Sequence, residues 1–120
     1  MLLDSLYTID ELKTEGQSIS ANLTVDPNHD IFKGHFPSQP VLPGVCLIEM
    51  LKDIIKKALG KPYLMTEASN IKYLMMLDPQ QNVGLRFEIK AEESEGKLKV
   101  VATSFLENNE INFKFKGTFD

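Results

Sequence analysis

A short proline-rich segment contains residue types that can perform acid–base chemistry. It spans residues 34–45 and reads GHFPSQPVLPGV, with three of the six prolines of the chain. Prolines at this density stiffen a loop, because each ring fixes φ and removes a backbone donor. The loop therefore holds His35 in place at low entropic cost. A histidine in a fixed place can act as a general base near neutral pH.

The same segment ends where a helix is predicted to begin. Gly44 allows close approach of the backbone at this point, because glycine has no Cβ. The first N–H groups of a helix have no intrahelical acceptor and point toward whatever occupies the preceding loop. The start of this helix can therefore hold an oxyanion.

Glu49 provides the acid that such a site needs. It lies about one and a half turns into the predicted helix, beside Cys46, Ile48 and Lys52. A largely apolar setting of that kind keeps a carboxyl proton available for donation. A base, an oxyanion-holding N–H group and an acid together predict an acid–base active site.

The helix that must position Glu49 is the clearest element of the sequence. Its apolar residues recur at helical spacing, with charged residues between them. Pro43 suits the first turn, and Gly60 followed by Pro62 supplies the stop. So broad an apolar set predicts a helix that is buried over most of its circumference. The apolar positions are Val45, Leu47, Ile48, Leu51, Ile54, Ile55, Ala58 and Leu59.

Most of the remaining chain alternates between apolar and polar residues, as strands with one buried face do. Residues 2–12 fit a first strand or an irregular edge. Residues 92–96 and 108–109 predict hairpin turns, since Asn and Gly tolerate the positive φ of tight turns. The other predicted strands cover residues 18–25, 71–77, 83–90, 97–106 and 111–119.

These elements together predict the fold. Four consecutive strands joined by short turns indicate a mainly antiparallel sheet. One face of that sheet is apolar, and the helix is the long apolar element that can cover it. The sequence therefore predicts a single α+β domain over residues 1–120. In this domain a curved sheet of five to six strands wraps around one long central helix.

Composition excludes several classes of protein. A chain of 120 residues provides one core, which excludes a two-domain enzyme with its own cofactor domain. Thirteen basic against 17 acidic residues give a net charge of -4, which disfavours binding to nucleic acid or an anionic membrane. Cys46 is the single cysteine and favours a reducing compartment. With no recognisable signal peptide or membrane-length apolar run, the expected location is the cytoplasm.

The proline-rich segment also resembles a known family motif. Preceded by NHDIF and followed by Glu49, GHFPSQPVLPGV is similar to the motif of the beta-hydroxyacyl-[acyl-carrier-protein] dehydratases, which have the hotdog fold. Two glycines and three prolines at fixed places, with His35 and Glu49 at their fixed separation, make the match specific. The likeness extends more loosely from Ile19 through the later strands. The chain is identified as a shortened, divergent member of that family.

This resemblance implies a reaction and a site. His35 would remove the proton next to a thioester carbonyl, and Glu49 of the partner subunit would assist departure of the β-hydroxyl as water. The N–H of Gly44 or Val45 would hydrogen-bond the thioester oxygen. The substrate would be a thioester of acyl-carrier protein or coenzyme A in fatty-acid or related biosynthesis. The implied assembly is a homodimer with shared active sites, alone or within a higher oligomer, without metal or organic cofactor.

The chain departs from the family pattern at two places. Four residues after the glutamate the family usually has glutamine, whereas this chain has Asp53, which is expected to change the ionisation or the hydrogen bonding of Glu49. Residues 72–80, KYLMMLDPQ, resemble a family strand that normally contains an Arg pair and ends in Pro-Gly-Asp. Basic residues at that strand are expected to help dock the acidic carrier protein.

The sequence is also compatible with simpler roles for the candidate catalytic residues. His35 can be a buried histidine satisfied by backbone, and Glu49 can be an acid that stabilises the helix start. His29 and His35, with Asp30 nearby, form weak candidates for metal ligands. Cys46 is better explained as a small core residue than as a nucleophile.

Further residues have two interpretations each. Met75 and Met76 either line an acyl-chain tunnel or belong to the core, and the core is the more common role. Lys33, Lys72 and Arg86 either meet an acidic carrier protein or are ordinary surface residues.

Two other functions are compatible with the sequence. The same fold hydrolyses acyl thioesters when a carboxylate activates water, so a thioesterase is one alternative. A non-catalytic module that binds an acyl group or a carrier protein is the other. The histidine-containing loop disfavours the first, and the presence of both catalytic residue types disfavours the second.

Overall fold

The computed structural model describes residues 5–33 and 41–120. In this part of the chain, six strands and one α-helix follow in the predicted order of two strands, a helix and four strands. A short 3-10 helix, Asp30–Phe32, precedes the longer helix. The elements are β1 (Tyr7–Glu15), β2 (Ser18–Val25), α1 (Gly44–Leu59), β3 (Met65–Tyr73), β4 (Gly84–Ser94), β5 (Lys97–Phe105) and β6 (Ile111–Phe119).

The strands form one antiparallel sheet in the spatial order β1-β2-β4-β5-β6-β3. Both predicted turns are confirmed: Glu95 and Gly96 between β4 and β5, and Asn109 between β5 and β6, have positive φ. The expected series of four hairpin-linked strands is wrong for β3, which pairs with β6 rather than with β4. β3 is therefore an edge strand, and the chain returns from that edge to the middle of the sheet.

The predicted strand over residues 71–77 is wrong in its bounds, because β3 ends at Tyr73. The Leu74 N–H donates to the Asn112 carbonyl at 2.9 Å. The Leu42 N–H donates to the Leu77 carbonyl at 2.9 Å. The first bond continues the β3–β6 register by one residue, whereas the second joins the segment to the residues that precede α1. Met75 and Met76 in this segment are exposed, so their interpretation as core residues is wrong.

α1 begins and ends as predicted. Pro43 occupies the N-cap position, and Gly60 ends the helix in the left-handed conformation with φ 76°. The Gly60 N–H donates to the Lys56 carbonyl, which satisfies one of the final carbonyls. Val45 is an exception to the predicted burial, since it is 63% exposed. The buried helix residues are Cys46, Leu47, Ile48, Met50, Leu51, Ile54 and Ile55.

The core lies between α1 and the inner face of the sheet. Alternate residues of β2, β4, β5 and β6 are buried there, among them Phe87, Phe113, Phe115 and Phe119. β3 differs, because all its residues except Met65 are exposed. The sheet thus extends past the helix at the β3 edge. Within the described residues, no helix combines the length and the apolar character that a membrane span requires.

Ser104 is a buried polar residue inside this apolar core. It lies on β5 between Phe87 of β4 and Phe113 of β6 in the sheet register. Its hydroxyl is fully buried and has no hydrogen-bond partner among the described residues. An unsatisfied buried hydroxyl costs about 1–3 kcal/mol.

Replacing Ser104 with alanine is expected to raise the free energy of unfolding by about 1 kcal/mol, because the orphaned hydroxyl is removed without creating a large cavity. Urea denaturation monitored by circular dichroism measures the change. Ser20→Ala is the matched control, since Ser20 alternates with the buried residues of β2 and faces outward. A lower unfolding free energy in Ser104→Ala would show instead that the hydroxyl makes a favourable contact.

Candidate active site

The start of α1 lies under an aromatic ring from the edge strand. The Tyr73 ring covers Gly44, and a Cβ built on Gly44 would lie 2.7 Å from its Cε1 and 2.8 Å from its Cζ. Carbon atoms do not approach so closely, so any larger residue at this position would displace the Tyr73 ring. The ring stacks on Phe113 with 5.6 Å between centroids. The sequence predicted a close approach at Gly44, and the approaching group is the ring of Tyr73.

The first turn of α1 presents its N–H groups at this place. The Cys46 N–H donates to the Pro43 carbonyl at 3.0 Å. Gly44 and Val45 precede that bond, and N–H groups in the first turn of an α-helix have no intrahelical acceptor. The exposed Val45 side chain shows that this end of the helix opens to the surface. The helix dipole favours negative charge here, so the turn can hold an oxyanion.

Glu49 lies on the same helix, half-buried and facing a lysine. Its Oε1 accepts a hydrogen bond from Lys52 Nζ at 3.3 Å. The surroundings of Glu49 are therefore polar on the side of Lys52, whereas the sequence predicted a largely apolar setting. Burial, with a further contribution from the Glu49 charge, raises the pKa of the Cys46 thiol to about 11. A buried and protonated thiol fits the predicted role of Cys46 as a core residue rather than a nucleophile.

Asp53, one turn after Glu49, has different partners. The Tyr7 hydroxyl donates to Asp53 Oδ2 at 2.7 Å. Lys57 Nζ approaches the same oxygen at 3.2 Å. Burial raises the pKa of Tyr7 above its ordinary value, and the hydrogen bond to Asp53 and the charges of Asp53 and Glu49 raise it further. The sequence does not predict the contact of Tyr7 with Asp53, because Tyr7 lies 46 residues away and belongs to no recognisable motif.

His35 lies outside the described residues, as does the rest of the segment 34–40, so its role stays a prediction. Both flanks of that segment are fixed. His29 caps the 3-10 helix through Nδ1, which accepts from the Ile31 N–H at 3.0 Å. On the other side, the Leu42 N–H is bonded to the Leu77 carbonyl. The described residues contain no group of three or more metal-ligating side chains.

The basic residues considered for carrier docking have distinct surroundings. Lys33 approaches Asp30 at 3.5 Å on the surface. The Arg86 guanidinium lies 4.3 Å from the centre of the Phe105 ring, and its Nη1 donates to Asn109. Arg86 is therefore engaged by neighbours on the outer face of the sheet.

Exposed apolar residues lie at the start of α1, at the end of β3 and in the segment that follows β3. We call this set the apolar edge surface, and its side chains are between 38% and 67% exposed. Contiguous exposed apolar residues on a single chain mark a contact surface. Because the Tyr73 ring touches Gly44, this surface borders the candidate oxyanion position. It consists of Val45, Ile71, Tyr73, Leu74, Met75 and Met76.

Solved structures with the same architecture identify the class of fold. The structure described as the dehydratase heterocomplex ApeI:P from Xenorhabdus doucetiae matches with a TM-score of 0.79 and 23% identity, over 93% of this chain and 96% of that one. A hypothetical thioesterase with coenzyme A from Streptococcus pneumoniae matches with a TM-score of 0.69 and 14% identity, over 98% of this chain and 88% of that one. At such identities the likeness concerns the fold alone. The predicted α+β hotdog fold is confirmed.

Sequence comparison defines the family within that fold. The ApeI-like family model, described as ApeI dehydratase, matches residues 11–115. The 3-hydroxyacyl-[acyl-carrier-protein] dehydratase FabZ of Enterococcus faecalis is 33% identical over 110 residues, covering 85% of this chain and 75% of that protein. The FabZ of Oceanobacillus iheyensis is 29% identical over 111 residues, covering 86% and 76%. The chain belongs to the ApeI-like dehydratase family, and these relatives support a dehydratase role.

Proposed function

We propose that this protein is a hydro-lyase that removes water from a β-hydroxyacyl thioester and gives the trans-2-enoyl thioester. The observation that carries the proposal is the first turn of α1 in a chain of this family. Gly44 and Val45 present N–H groups there beside the apolar edge surface, and Glu49 follows on the same helix. Such a turn suits a thioester oxygen that gains negative charge during the reaction.

The proposed reaction needs a base and an acid. His35 takes the proton from the carbon next to the thioester carbonyl, and the electron pair of that C–H bond becomes the new C=C bond. The β-carbon–oxygen bond breaks as Glu49 of the partner subunit protonates the departing hydroxyl, which leaves as water. The N–H of Gly44 or Val45 hydrogen-bonds the thioester oxygen and stabilises the enolate-like charge. The thioester already acidifies the proton, so the proposal includes no metal or organic cofactor.

A second copy of the chain is the proposed partner at the β3 edge. β1, at the other edge, has four charged residues among nine and a register shift after Ile9, features that protect an edge from pairing. β3 has only Glu67 and Lys72 as charged residues, and its inner face is exposed beside the apolar edge surface. Contact between two β3 edges buries these apolar residues and brings Glu49 of the partner subunit to the site.

The acyl group is proposed to arrive on acyl-carrier protein or coenzyme A. The name of the Enterococcus faecalis relative states an acyl-carrier-protein substrate. Lys72 is exposed on the edge strand next to the apolar edge surface, where it can meet an acidic carrier. The single domain over residues 1–120 and the cytoplasmic location stay predictions.

An absorbance assay with a crotonyl thioester, run in the hydration direction, tests the proposed reaction. We expect the enoyl absorbance band to fall as water adds across the double bond, with no release of free thiol. A thiol reagent in a parallel sample detects hydrolysis. Free thiol without a hydrated product would establish a thioesterase instead. Binding of the thioester without turnover, on both coenzyme A and carrier protein and at several chain lengths, would establish a binding module.

A further inference from the structure

Asp53 places a second carboxylate one helical turn after Glu49, and two side chains hold it. The Tyr7 hydroxyl donates to Asp53 Oδ2 at 2.7 Å, and Lys57 Nζ lies 3.2 Å from the same oxygen. Tyr7 belongs to β1, so this hydrogen bond joins the helix to the sheet. The reaction proposed above does not use Asp53, yet its charge lies close to the site.

The two partners of Asp53 differ in strength. The Lys57 side chain is 58% exposed, and ion pairs at such exposure contribute little. The Tyr7 hydroxyl is partly buried and donates to a charged oxygen, which makes a stronger hydrogen bond than a neutral pair. Tyr7 is therefore the main group that holds the Asp53 carboxylate in place.

Tyr7 also lies within the electrostatic reach of Glu49. The charges of Asp53 and Glu49 both favour the protonated phenol, after the larger effect of burial. On the helix, Glu49 has its own partner, because Lys52 Nζ is 3.3 Å from its Oε1. Each carboxylate thus has its own partners: Tyr7 and Lys57 contact Asp53, and Lys52 contacts Glu49.

We propose that Tyr7 is a positioning residue. Its hydroxyl holds the Asp53 carboxylate in place, so that Glu49, and not Asp53, acts on the reacting groups. This inference rests on the proposed dehydratase function. Without the Tyr7 hydroxyl, Asp53 keeps only the exposed Lys57 as a partner, so its carboxylate is free to move relative to Glu49. Its charge also opposes the enolate-like charge that forms in the transition state.

Hydration kinetics of four proteins test the role of Tyr7: the wild type, Tyr7→Phe, Asp53→Asn and the double variant. Tyr7→Phe is expected to lower kcat about ten-fold, with KM changed less than about two-fold, because the freed charge acts on the transition state. Asp53→Asn is expected to keep kcat within about three-fold of the wild type, since it removes the charge itself. The double variant should match Asp53→Asn, so that loss of the carboxylate rescues loss of the hydroxyl.

A purely structural role for Tyr7 gives a different pattern. If Tyr7 only ties β1 to α1, the double variant stays at least as impaired as Tyr7→Phe, and that result would overturn the proposal. An unchanged kcat in Tyr7→Phe would overturn it too. Tyr63→Phe is the matched control, because it removes the hydroxyl of a tyrosine whose ring lies against Lys61, whereas the Tyr7 hydroxyl donates to Asp53. Urea denaturation of every variant shows whether the protein remains folded.

A tyrosinate absorbance titration separates this inference from the proposed function. The signal of Tyr7 is identified by comparing the wild type with Tyr7→Phe. We expect the pKa of Tyr7 to fall in Asp53→Asn, because the negative partner that favours the protonated phenol is gone. An unchanged titration would overturn the inference even in an active enzyme. A wild type without hydration activity but with the expected titration shift would instead reject the proposed function while retaining the Tyr7–Asp53 contact.

Discussion

Replacing Glu49 with glutamine is expected to lower kcat for hydration of an enoyl thioester by about 10²–10⁴-fold, the usual contribution of a general acid–base group. The substitution keeps the length of the side chain and a carbonyl oxygen that can accept from Lys52, so the contact with Lys52 is retained. What is lost is the exchangeable proton. Steady-state kinetics with a crotonyl thioester measure the change.

Two comparisons make the Glu49 result specific. His35→Ala should lose turnover to a similar degree while it keeps the fold and the dimer, as circular dichroism and molar-mass measurement would show. Glu92→Gln makes the same chemical change on the exposed end of β4 and should leave kcat unaltered. Activity above about one tenth of the wild type in Glu49→Gln would reject its role as the acid.

The sequence predicted the fold where periodicity and local signals agree. β2 alternates apolar and polar residues, and the structure buries its apolar set. In β6 the phenylalanines are buried as predicted, but Ile111 is half-buried and the polar Asn112 is fully buried. Pro43 and Gly60 marked the ends of α1 because helix caps depend on residue types next to one another. Such signals operate within a few residues, so a single sequence is sufficient to detect them.

β3 was placed incorrectly because its limits depend on distant residues. The Leu77 carbonyl accepts from the Leu42 N–H rather than pairing with β6, so the apolar residues that follow Leu74 leave the sheet. The alternation of apolar residues does not report these partners. Exposure of Met75 and Met76 follows from the edge position of β3, beyond the cover of α1.

In the candidate site, too, the sequence predicted the residues that are close together in the chain and missed those that are far apart in it. Gly44 and Glu49 belong to one motif and were found from their spacing. Tyr73 and Tyr7 come from other strands, and they reach Gly44 and Asp53 only in the folded chain. Residues that complete the surroundings of a site by tertiary contact are therefore seen in the structure and not in the motif.

Mixed dimers provide the strongest test of a site shared between subunits. One subunit contains His35→Ala and the other Glu49→Gln, each with a different affinity tag, so that the heterodimer can be purified after co-expression. If His35 of one subunit works with Glu49 of the partner subunit, one site has both substitutions and the other has neither. Two inactive proteins should then combine into a dimer with about half of the wild-type activity.

The alternative arrangement gives the opposite result. If His35 and Glu49 of the same subunit formed a site, every site in the mixed dimer would lack one group, and activity would stay at the level of the single variants. Wild-type dimers with the same two tags control for the tags themselves. Restored activity would also support the proposed contact between two apolar edge surfaces, because Tyr73 of that surface covers Gly44 at the start of α1.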